Sequence, residues 1–116
     1  MKKVNILGTT YKVYLNVPRN KEPKVPTAYG YTDFYSKKIV VFDVTTIPGW
    51  EDASDEAVWS NYSCTVRHEV IHAHLMESGL DCPSNAVDCW ARNEEMVDWF
   101  AMQLPKIVKT CCELGV

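Results

Sequence analysis

The segment from Thr65 to Gly79 places the tightest constraint on the fold, because it carries His68-Glu69-Val70-Ile71-His72. On an α-helix, residues i and i+4 stack on one face, so His68 and His72 can direct imidazole nitrogens at one point. A zinc ion accepts such nitrogens at roughly 2 Å. Glu69 follows the first histidine and lies beside that point, where a carboxylate can take a proton from a metal-activated water. Two histidines leave zinc short of ligands, since catalytic sites use three protein groups and an open position. The rest of the chain must therefore supply a third donor.

The flanking residues predict the helix itself. The acidic stretch Glu51 to Glu56 suits a helix N-terminus, where carboxylates meet the positive end of the dipole. The helix is expected to begin between Asp55 and Ser60 and to run to Ser78. Gly79 is a good residue just past the end, with Leu80 free to make the accompanying apolar contact, and Pro83 enforces the stop. The histidine pair then sits in the helix interior, on rigid backbone.

Upstream, the pattern is that of strands. Val4–Leu7 and Tyr11–Val17 flank Gly8-Thr9-Thr10, and in the second Tyr11, Val13, Leu15 and Val17 alternate with polar positions. Arg19 to Pro26 reads as an exposed loop. Ala28–Phe34 and Lys38–Asp43, rich in β-branched and aromatic residues, form a hairpin turning at Tyr35-Ser36-Lys37. Pro48-Gly49 ends this region. From about Ser84 the chain is helical again, with Asn93 as a candidate N-cap. Trp90, Val97, Ala101, Leu104 and Val108 form a core-facing stripe that also contains Glu94. Pro105 is expected to kink or divide this helix, leaving Lys106 to Leu114 as a short final one. The fold class is thus α+β: a small, mostly antiparallel N-terminal sheet followed by helices, within a single domain spanning residues 1–116.

Charge and composition narrow the function classes. The net charge is −3 and the basic residues are scattered, which gives nucleic-acid binding no electrostatic support. No apolar run approaches the ~20 residues of a membrane span. Asn5, Gly8 and Lys12 interrupt any signal-peptide core, so the chain is expected in the cytoplasm. Its five cysteines (Cys64, Cys82, Cys89, Cys111 and Cys112) are odd in number and lack zinc-ribbon spacing.

The third donor can be sought by elimination. The metzincin pattern needs Gly at 75 and His at 78, where Leu75 and Ser78 stand. His74 lies about 200° round the helix from His72 and cannot reach the same ion. Glu94 is a carboxylate on an otherwise apolar face, where burial is costly without a cation. One turn on, Asp98 could accept the second ring N–H of a ligating histidine and fix its tautomer. Glu95 is the rival third ligand, but it points about 100° away.

These residues carry a resemblance. His68-Glu69-x-x-His72 followed by Asn93-Glu94-x-x-x-Asp98 resembles the gluzincin arrangement of thermolysin-type peptidases. The small size, the preceding sheet, and Glu94-x-x-x-Asp98-x-Phe100-Ala101 are more similar to ImmA/IrrE-type metallopeptidases of phages and mobile elements. The opening Ile6-Leu7-Gly8-x-x-Tyr11-x-Val13, the Gly30-Tyr31-Thr32-Asp33 hairpin and the strand Ile39-Val40-Val41 follow the same order. The sequence departs from that family in having Asp98 where asparagine is usual. The resemblance implies a minimal zincin-like fold and one Zn2+ held by His68, His72 and Glu94, with Asp98 orienting a histidine. It implies Glu69 as general base and a protein or peptide substrate, some family members cleaving repressors. An extended peptide is expected along the edge strand near the site, with Lys38 to Asp43 the candidate. The alternative function is a catalytically inactive zinc-binding phage accessory or regulatory protein.

Overall fold

Four strands and two long helices make up the computed structural model, which describes residues 1–21, 27–81 and 89–116. Strand β1 (Lys2–Ile6) turns through Leu7 and Gly8 into β2 (Thr9–Pro18). Leu7 and Gly8 both have positive φ, +50° and +92°, the signature of a two-residue hairpin turn matched to strand twist. Asn5 Oδ1 accepts the Gly8 amide at 3.0 Å and closes it. Leu7 therefore belongs to the turn rather than to the first strand.

Strand β3 (Gly30–Asp33) and β4 (Lys38–Asp43) form the expected hairpin. Asp33 fixes its turn by accepting the Tyr35 and Ser36 amides at 3.0 and 3.1 Å. The sheet order is β1-β2-β4-β3. Both hairpins are antiparallel, whereas the central β2–β4 pair is parallel, with a register slip between Tyr14 and Val17. Asn16, at φ +54°, lies within that slip. The strand β4 is thus internal, and its run Ile39-Val40-Val41-Phe42 is buried on both faces, as internal strands require. Lys38–Asp43 offers no free edge to a peptide, which corrects that expectation. The edge strands are β1 and β3.

Helix α1 (Asp55–Glu77) packs over β3 and β4. Ser54 caps its start by accepting the Ala57 amide at 3.2 Å. At its end, Gly79 at φ +78° donates to Met76 O and Leu80 donates to Leu75 O, each at 3.1 Å. This paired arrangement satisfies the last carbonyls. Ile6, Tyr11, Val13, Ile39, Val41 and Ala73 form the core, with Leu15, Tyr62, Val66 and Val70 packed against it. At its N-terminal end the sheet meets α1 through Glu77, which accepts hydrogen bonds from Thr9 Oγ1, Tyr11 Oη and Lys37 Nζ.

A single turn of 3-10 helix (Trp90–Arg92) leads to α2 (Glu94–Glu113), capped by Asn93 Oδ1 accepting the Met96 amide at 2.8 Å. Two expectations are revised here. Pro105 does not divide α2, which continues through it as one helix. A proline in a helix lacks the amide that would bond the carbonyl four residues back, here that of Ala101. Arg67 Nε of α1 donates to that carbonyl at 2.5 Å instead. The apolar stripe is also shorter than expected: Val97 and Ala101 are fully buried, but Trp90, Leu104 and Val108 are exposed. Pro23, Pro26, Cys82, Pro83 and the start at Ser84 lie outside the described residues. No helix among the described residues is long and apolar enough to cross a membrane.

Candidate metal centre

The two helices run antiparallel at the site. As α1 rises through Arg67, His68 and His72, its partners on α2 descend through Ala101, Asp98 and Glu94. This pairing brings together residues that lie far apart in the sequence.

The Nε2 atoms of His68 and His72 are 3.0 Å apart. Glu94 Oε2 lies 3.1 Å from His68 Nε2 and 3.4 Å from His72 Nε2. Ligands at 2.0–2.1 Å on tetrahedral zinc are separated by roughly 3.3 Å, from the bond lengths alone. Three donors on three edges of near that length fit such an ion. Among the described residues, His68, His72 and Glu94 are the group of histidine, cysteine and carboxylate side chains close enough to share one. Glu95 borders a different surface depression, shared with Asn93, Asp98 and Trp99.

The outer nitrogens of both rings are also engaged. His68 Nδ1 is 2.8 Å from Asp98 Oδ1, and His72 Nδ1 is 2.7 Å from Ala91 O. An acceptor at Nδ1 holds the proton there and leaves Nε2 with a free lone pair. Both rings are thereby set to present Nε2 to the shared point. The Ala91 carbonyl is held in place because its own amide donates to Leu80 O at 3.2 Å, just past the end of α1.

Glu69 points towards the sheet side of the same site and is only 5% exposed. Thr32 Oγ1 on β3 lies 2.8 Å from Glu69 Oε2 and 2.9 Å from Glu69 O. Burial pushes the Glu69 carboxyl above its ordinary value, against the Thr32 hydrogen bond and the two histidines, while the Glu94 charge pushes it further up. Gly30 permits this approach: a Cβ there would lie 2.7 Å from Val40 O and 3.2 Å from Glu69 Cγ. A cleft of about 730 Å³ opens between β3 and α1, bordered by Thr32, Tyr35, Met76 and Arg92, with His68, Glu69, His72 and Glu94 along its wall.

The site thus contains each residue expected from the sequence, with one premise altered. The Glu94 side chain is 67% exposed, so its burial does not call for a cation; it lies instead beside two imidazoles. His74 faces away, its Nδ1 on Val70 O at 2.8 Å. Thr32 was not singled out as a site residue by its chemistry, although its place two residues after Gly30 puts both on one face of β3. No family model, curated protein or solved structure matches this chain.

Proposed function

We propose that this protein is a zinc-dependent metallopeptidase of the cytoplasm, resembling the ImmA/IrrE type, with a protein or peptide substrate. The observation that carries this reading is the convergence of His68 Nε2, His72 Nε2 and Glu94 Oε2 at 3.0–3.4 Å, with both Nδ1 atoms occupied elsewhere. These three side chains would hold the ion. When bound, zinc supplies Lewis acidity, polarising a carbonyl and lowering the pKa of water towards ~7.

The chain's own residues account for the remaining work. Glu69 accepts a proton from the attacking water on its carboxylate and passes it to the leaving amine. Thr32 holds the carboxylate in place through its hydroxyl. Asp98 and Ala91 O keep the imidazoles in the ligating tautomer. An extended substrate pairs with the outer edge of β3, which borders the cleft and carries no further strand among the described residues.

Peptide hydrolysis by the wild type and Glu69→Gln, with zinc content measured on both, tests the reading. Glu69→Gln retains zinc and loses hydrolysis. Equal hydrolysis by the two proteins overturns the role of Glu69. Zinc binding with peptides left intact by the wild type makes the protein a zinc-binding module instead.

A further inference from the structure

We propose that Arg67 is a positioning residue that fixes the register of α2 against α1, and that Pro105 marks the carbonyl it selects. This inference rests on the metal centre proposed above. Inside a helix, each carbonyl is normally taken by the amide four residues on, so a side chain finds few strong acceptors there. Pro105 has no amide, which leaves the Ala101 carbonyl without its helical partner. Arg67 Nε meets that carbonyl at 2.5 Å, and Ala101 is fully buried at the helix contact. The proline thus creates one distinguishable acceptor in the middle of α2, and a cation on α1 engages it.

The consequence for the site is geometric. Asp98 and Glu94 lie three and seven residues before Ala101, and His68 and His72 lie one and five residues after Arg67. Both sets share the face along which the antiparallel helices meet. A slip of one turn moves α2 by about 5.4 Å, which would carry Glu94 out of reach of both histidines. Val97, Ala101 and the links of Ala91 to His72 and Leu80 hold the first half of α2, whereas the face beyond them at Leu104 and Val108 is exposed and gives no further guard against slippage. The Arg67–Ala101 link lies outside the donor set, so it places α2 before any ion arrives.

Zinc and cobalt(II) affinity, the visible absorption of the cobalt(II) form and thermal stability separate this role from a merely structural one. Arg67→Ala leaves a buried carbonyl unpartnered and lowers both stability and affinity. In Arg67→Ala/Pro105→Ala the restored amide takes that carbonyl, so stability returns. The register mark does not return, so metal affinity stays about tenfold or more below wild type, with an altered cobalt(II) spectrum. If the double variant regains wild-type affinity and spectrum, the positioning role is wrong. Should Arg67→Ala fail to fold, the double variant still decides. Failure of the wild type to bind either ion counts against the metal centre, whereas tight binding by both the wild type and the double variant counts against this inference alone.

Discussion

His68 Nδ1 lies 2.8 Å from Asp98 Oδ1, across the junction of two antiparallel helices. The Asp98 side chain is 61% exposed, so this contact contributes little to folding. Its effect is on the imidazole, which it turns and holds with Nε2 towards His72 and Glu94. Asp98→Ala should therefore weaken zinc binding by about 10- to 100-fold while changing stability by no more than about 0.5 kcal/mol. Competition titration with a chelating dye and thermal unfolding of the metal-free protein measure the two effects separately.

Gly30 is set by close approach rather than by backbone conformation. A methyl group there would sit 2.7 Å from Val40 O, 3.1 Å from Thr65 Cγ2 and 3.2 Å from Glu69 Cγ. The Val40 oxygen is main chain in an internal strand and cannot step aside cheaply. Gly30→Ala should cost about 1–3 kcal/mol, read from denaturant unfolding, and should reduce hydrolysis by displacing Glu69.

Glu77 gives stability a defined pH dependence. The Lys37 hydrogen bond, foremost, holds its carboxyl below the ordinary value, with Tyr11 and Thr9 adding to the effect. A depressed folded-state pKa contributes stability that is present above the unfolded value, near 4.3, and is lost as pH falls through the folded value. The Tm difference between wild type and Glu77→Gln should thus be largest near neutral pH and shrink steadily below about pH 4. Tyr11 acts at the other end. Burial and its bond to Glu77 raise its pKa, so its contribution is present below about pH 10 and is lost as pH rises beyond it.

Much of the fold was legible because its signals are local. The acidic turn before α1 and Gly79 after it each report on a few neighbouring residues and are found as expected, while the alternation in Tyr11–Val17 holds through Tyr11, Lys12 and Val13 and lapses at the register slip beyond Tyr14. The β2–β4 parallel pairing was not legible, since it depends on contacts between distant segments. The run Ile39–Phe42 held a clue in being apolar without alternation, the pattern of an internal strand. That Pro105 would not divide the helix was not legible, since one cost of an interior proline is the orphaned carbonyl four residues back, and the partner for it, Arg67, comes from the other helix. His68, His72, Glu94 and Asp98 come together in space because helical periodicity within each segment carries over from sequence to structure. Thr32 escaped because a strand hydroxyl has no motif of its own.

The most direct measurement of the central claim is the zinc content of the purified protein after dialysis, by elemental analysis, alongside His72→Ala. The account predicts one zinc ion per wild-type chain and none retained by the variant. Wild-type protein without stoichiometric zinc, or a variant whose zinc affinity is unchanged, would contradict it.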